Sequence, residues 1–225
     1  MKNTNTITEK RLNRKNCVIA MAAVAVMAIA GISAYLMDTD TVTNTFTVGN
    51  VDIELTQTSF KAPAEGETVM PNQEFNMDPA VKNTGDNPVY AFIEVTVPYE
   101  NIRTVSDNGT VSSEAADTAL FKYGASNSWI KVVDDKKDTT AKTMTRVYAY
   151  GSGDSLKTLA VGTETEKLFS KLRFVNTLEN EVINNSTRDV TIKGIAVQTR
   201  TLNSAPAAST WAIVSKQLET QVAAE

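Results

Sequence analysis

Val89, Ala91, Ile93, Val95 and Val97 alternate with Tyr90, Phe92, Glu94 and Thr96, and a repeat of two is that of an extended chain rather than a helix. Val51, Ile53 and Leu55 alternate in the same way with Asp52 and Glu54. The runs are rich in β-branched and aromatic residues, as half-buried strands require. Glu74 to Val81 reads as a further strand. It leads into Asn83-Thr84-Gly85-Asp86-Asn87-Pro88, a cluster of turn formers that would fold it back as the antiparallel neighbour of Val89 to Val97. Trp129 to Val133 and Thr143 to Tyr150 flank a polar stretch from Asp134 to Thr140, and Leu168 to Val175 and Val190 to Thr199 add two more candidates.

Helix is scarce. Ser112 to Leu120 offers a serine start and an alanine-rich stretch, and Ala207 to Leu218 follows Pro206 with Trp211, Val214 and Leu218 at helical spacing. The expected class is all-β: a jelly roll or β-sandwich of about eight antiparallel strands with one or two short helices.

The amino terminus reads as an export signal. Lys2, Lys10, Arg11, Arg14 and Lys15 precede a continuous apolar run from Cys17 to Ile32, the order of a signal peptide's basic and apolar regions. The run falls short of the roughly 20 residues of a spanning helix. Cleavage is expected after Ala34, leaving Tyr35 as the first residue, with Ala30 as the second choice. Residues 1–34 are thus the signal peptide and 35–225 a single β-sandwich domain whose N-terminal strand covers 38–55. The membrane is met only through the signal, and the mature protein is secreted, in the extracellular matrix or at the cell surface.

Without its first 34 residues the chain loses five basic and one acidic residue, leaving 17 basic and 25 acidic over 191 positions, a net charge of −8. A surface of that sign repels phosphate backbones, so nucleic acid is not an expected partner. The single cysteine, Cys17, leaves with the signal, and the chain has no histidine. Ser-His-Asp and Cys-His catalysis is thereby excluded, as are zinc sites built on imidazole or thiolate. Paired carboxylates would suffice for a glycosidase, but the acids are scattered and none stands out. Asp38 and Asp40, and Asp134, Asp135 and Asp138, lack the spacing and the glycine of a calcium loop. Gly151-Ser152-Gly153 lacks the lysine and serine of a phosphate-binding loop. No catalytic residue, cofactor or metal is assigned.

Between the signal and the domain, every odd position from Thr39 to Thr47 is threonine, while Asp40, Val42, Asn44, Phe46 and Val48 fill the even ones. A strand there would have a hydroxyl face and a partly apolar face. Its backbone donors and acceptors must pair either with the chain's own sheet or with a neighbour's edge. Exchange between subunits would make a head-to-tail homopolymer with Thr39, Val42, Asn44, Phe46 and Val48 as the subunit-contact strand.

The signal ending at Ala34, followed by Tyr35-Leu36-Met37-Asp38-Thr39 and by Asn44-Thr45-Phe46-Thr47-Val48-Gly49-Asn50-Val51-Asp52-Ile53, resembles the entry of the TasA/camelysin family. Met70-Pro71-Asn72-Gln73-Glu74 with the stretch from Asp78 to Tyr90, and Ile195-Ala196-Val197-Gln198 with Ala207 to Val214, are similar to its later blocks. The resemblance implies a jelly roll exported by a Gram-positive bacterium through a SipW-type signal peptidase and polymerised into fibres of the biofilm matrix. Its partners would be itself, that peptidase during export, and other matrix proteins. The metalloendopeptidase label of some relatives does not transfer to a chain without histidine. Two other functional classes remain open at this level. One is an adhesin or glycan-binding sandwich stacking sugars on Tyr99, Tyr123, Trp129 or Tyr150, and the other is an extracellular hydrolase using two carboxylates.

Overall fold

The computed structural model describes residues 37–40, 51–61, 69–178, 188–202 and 205–222. They form twelve strands, a short 3-10 helix at Thr199–Thr201 and one α-helix, α1 (Ala207–Val222). Every strand pair is antiparallel. The largest sheet is built on β5 (Val89–Ile102), flanked by β12 (Thr191–Gln198) and β9 (Thr143–Ser152). β1 (Met37–Asp40) lies outside β12. On the other side β9 carries β8 (Trp129–Asp138) and the short β10 (Ser155–Leu156), while β6 (Ala116–Ala119) pairs with the far half of β5. Two smaller sheets complete the architecture: β2 (Ile53–Thr56) with β4 (Ala80–Asn83), and β3 (Glu74–Asn76) with β11 (Lys171–Phe174) and β7 (Phe121–Lys122).

The start of β5 is more deeply buried than its alternation suggests. Ala91, Ile93, Val95 and Val97 join Val81, Leu120, Leu168 and Leu172 in one apolar cluster. Tyr90 and Phe92, on the opposite face, join Val147, Ile195, Val197 and Val214 in a second. Val89 to Ile93 is therefore buried on both faces, not half-buried, and partial exposure on one face resumes only at Glu94 and Thr96. The cause is α1, which lays Trp211 against Phe92 with ring centroids 5.5 Å apart. Each such side chain taken from water contributes about 1.5–3 kcal/mol.

The small sheets cover the other face. Backbone bonds from Met77 to Ser170 (3.2 Å), Leu168 to Pro79 (2.8 Å), Thr165 to Val81 (2.8 Å) and Asn83 to Thr163 (2.9 Å) join them into one hydrogen-bonded layer. β2 crosses close over β12 at Gly194, where a Cβ would stand 3.4 Å from Ile53 Cδ1.

Three sequence expectations are corrected. The stretch from Ser112 to Leu120 is not helical: Ala116–Ala119 is β6, because β5 runs to Ile102 and its far half takes a partner there. Pairing of a long strand overrides the helix preference of alanine. Next, the strand from Glu74 to Val81 is not the neighbour of β5. It divides into β3 and β4, which pair with β11 and β2, so residues 83–88 connect two sheets instead of closing a hairpin. Finally, the described residues hold twelve strands instead of about eight, because breaks at Met77–Pro79 and at Leu120 divide longer extended runs.

Strands are found where expected over Trp129–Val133 and Thr143–Tyr150, pairing as a hairpin with β8 extended through Asp138, and the helix after Pro206 is as expected. Gly151-Ser152-Gly153 forms the tight β9–β10 turn, and Gly151 admits no side chain because a Cβ would lie 2.2 Å from the Ser155 carbonyl oxygen.

Candidate assembly edge

β1 is an edge strand whose described pairing is to β12 alone. Met37 lies opposite Val197, Asp38 opposite Ala196, Thr39 opposite Ile195 and Asp40 opposite Gly194. Of the contact-strand residues named from the sequence, Thr39 is therefore placed on the chain's own sheet. Ala34, Tyr35, Val42, Asn44, Phe46 and Val48 lie outside the described residues. The described ends of the 38–55 stretch lie in different sheets, Met37–Asp40 on β12 and Ile53–Thr56 on β4.

The receiving strand is apolar and well packed. Ile195, Ala196 and Val197 are buried, and Gly194 leaves room for β2 above it. Thr191 to Lys193 pair with β5 on one side. Gly194 to Val197 take β1 on the other side.

The opposite edge of the sheet is different in kind. β8 departs from regular register twice, between Lys131 and Val133 and between Val133 and Lys136. Asp135 there adopts a positive φ of 37°. Its residues from Lys131 to Asp138 are rich in charge. Lys131 pairs with Asp134 at 2.9 Å, Arg146 holds Asp135 at 2.6 Å, and Asp138 accepts the Thr140 and Ala141 amides at 2.9 Å. Bulges and charged side chains are the common means of blunting an edge against further pairing. The acids weighed for ion binding on this turn are thus engaged in ion pairs and backbone bonds.

The aromatic residues weighed for sugar stacking belong mostly to the interior. Tyr99, Trp129 and Tyr150 are buried, and Trp129 donates its Nε1–H to the Glu166 carbonyl at 3.0 Å. Tyr123 is half-buried, stacked on Phe169 at 4.4 Å with the Arg146 guanidinium 5.6 Å from its centroid. Burial first, and then Tyr148 beside it, push its phenol well above the usual range. A concavity of about 410 Å³ between the start of β5 and the end of β12 is lined by Asn87, Tyr90, Thr158 and Arg200 among others, with no acid among the described residues of its wall.

Two polar residues that sequence reasoning did not single out organise the layer around β2 and β4. The Asp78 carboxylate is buried and accepts from Ser59 N–H (2.7 Å), Thr58 Oγ1 (2.8 Å) and Lys167 Nζ (2.7 Å). Burial acts to raise its pKa. The Lys167, Ser59 and Thr58 bonds outweigh it and hold the group well below the usual carboxylate range. A depressed folded pKa stabilises above the unfolded value near about 4 and loses that contribution as pH falls below it. Asp78→Ala should therefore cost about 2 kcal/mol at neutral pH, with the gap to wild type closing as pH drops below about 4 in urea titrations. A gap that stays constant with pH would show that the ionised carboxylate is not what matters. The second residue is Asn83, fully buried between the two layers.

No protein-family model, curated protein or solved structure matches the chain.

Proposed function

We propose that this chain is an exported structural protein that polymerises head to tail into extracellular fibres of the biofilm matrix, by passing its N-terminal strand to the next subunit. The observation that carries the proposal is the contrast between the two edges of the large sheet. One is a bulged, charged strand, and the other is the N-terminal strand laid on the apolar β12. The finer fold reading, a jelly-roll sandwich, is supported by the hydrogen-bonded second layer over one face of that sheet. The TasA/camelysin resemblance of the sequence blocks supports the same assignment.

Energetics favours a strand that is easily moved. Each hydrogen bond contributes about 1 kcal/mol net, and ordering each residue's backbone costs about 1–2 kcal/mol, so pairing alone holds β1 weakly. Moving it to a neighbour's β12 exchanges like for like, which is why swapping is a low-cost route to assembly. The apolar residues of the strand, Val42, Phe46 and Val48, would supply the surplus at about 1.5–3 kcal/mol each. The test is electron microscopy of protein beginning at Tyr35 at rising concentration. Filaments are expected above a threshold, and a solution that stays monomeric at every concentration and in native colonies overturns the proposal.

A further inference from the structure

We propose that the turn at Ser106–Thr110 activates the side-chain amide of Asn108 for attack by its own backbone, converting the residue to aspartate and isoaspartate without enzyme or cofactor. The proposal is independent of how the chain assembles. Asn108-Gly109 is the sole Asn-Gly pair in the sequence. Residues 106–111 are exposed, Gly109 has a φ of 82°, and nothing lies within 4 Å of where a Cβ would be. Gly109 thus carries no side chain of its own to crowd its nitrogen.

The turn also fixes the electrophile. Asn108 Oδ1 accepts from the Thr110 amide at 3.1 Å, which bends the side chain back over the intervening Gly109 peptide. Ser106 Oγ stands 2.5 Å from the same oxygen and 3.0 Å from the Thr110 carbonyl oxygen. With its one proton directed at the nearer oxygen, the hydroxyl joins the Thr110 amide as a second donor to Oδ1, and two donors stabilise the charge that oxygen gains as a nucleophile adds to the carbon, which is how an oxyanion hole works.

The chemistry balances with water as the sole co-reactant. Gly109 N forms a bond to Asn108 Cγ as its proton passes to hydroxide. The Cγ–Nδ2 bond breaks, and the nitrogen takes a proton from water and leaves as ammonia. Water then opens the resulting cyclic imide at either carbonyl, giving aspartate or isoaspartate. The Gly109 N–H donates to the Ser106 carbonyl oxygen at 2.9 Å, so proton removal is the step that rising pH should accelerate.

The products differ in their effect. Aspartate keeps an acceptor for Ser106 and Thr110. Isoaspartate lengthens the backbone inside the loop closed by the Ser106 N–Thr110 O bond (2.9 Å) and the Val105–Val111 bridge. Either adds a negative charge beside Asp107, whose carboxylate lies 3.4 Å from Arg173 Nη1.

The test is ageing of the folded mature protein in mildly alkaline buffer, followed by peptide mass mapping and an enzymatic isoaspartate assay. Asn108 should convert ahead of the equally exposed Asn127, which precedes a serine. Ser106→Ala should slow the conversion about tenfold, less than the loss of a donor in a water-free oxyanion hole, and Ser106→Thr should restore it. Circular dichroism confirms that both variants fold. Conversion of Asn108 no faster than that of Asn127, or an unchanged rate in folded Ser106→Ala, overturns the proposal.

Discussion

Phe46→Asp in the processed protein is expected to abolish filaments while leaving a folded monomer. The substitution forfeits about 1.5–3 kcal/mol of apolar burial and places a carboxylate where an apolar side chain would enter a neighbour, at a further cost of a few kcal/mol. At about 1.4 kcal/mol per tenfold, the threshold for assembly should rise by two orders of magnitude or more. The domain should be spared, because the described residues already form two extensive apolar clusters of their own. Electron microscopy reports the loss and circular dichroism the fold. Filaments of normal yield from the variant would remove Phe46 from the subunit contact.

Asn83→Leu should be the most damaging single change to the monomer. Asn83 Nδ2 donates to the carbonyl oxygens of Asn87 (2.9 Å) and Leu159 (3.1 Å), and Oδ1 accepts from Gly85 N–H at 3.1 Å. Its backbone bonds to Thr163 and Gly162 as well. One side chain thus satisfies three backbone groups, two in its own loop and one at Leu159, with no water-exposed surface of its own. Leaving buried backbone groups unpaired costs about 1–3 kcal/mol each, so a total near about 4 kcal/mol is expected, a large part of the roughly 5–15 kcal/mol of a whole domain. Since 1 kcal/mol moves the midpoint by about 2–4 °C in a protein of this size, thermal melting should fall by about 10 °C or more. A fall of only a degree or two would show that the loop rearranges to pair those groups without Asn83.

The fold was legible where alternation and turn residues agree. Thr143 to Tyr150 with its hairpin partner, Val190 to Thr199 and the helix after Pro206 could all be placed from period and punctuation. Partner choice was not legible, because the turn formers between Asn83 and Pro88 serve equally to close a hairpin or to change sheets. The deciding fact is that Asn83 ties this loop to Leu159, far along the chain. Likewise, Tyr90 and Phe92 on the supposedly wet face of β5 were a visible sign of a second covering layer. Two aromatic residues at alternate positions are poorly suited to solvent, and α1 meets them.

At the candidate edge the order of residues was legible but the contrast between edges was not. Nothing in Lys131 to Asp138 announces two register shifts, since a bulge arises from pairing and twist rather than composition. Asp78 was equally hidden. A lone acid before a proline reads as surface charge until Thr58, Ser59 and Lys167 are brought to it.

The central sheet is roofed on both broad sides, by α1 on one and by the small strands on the other. Any further copy that shares backbone with it must join laterally, in the plane of the strands, because that is where their backbone hydrogen bonds point. An array built through this sheet would be ribbon-like by geometry, with a thickness set by a single molecule.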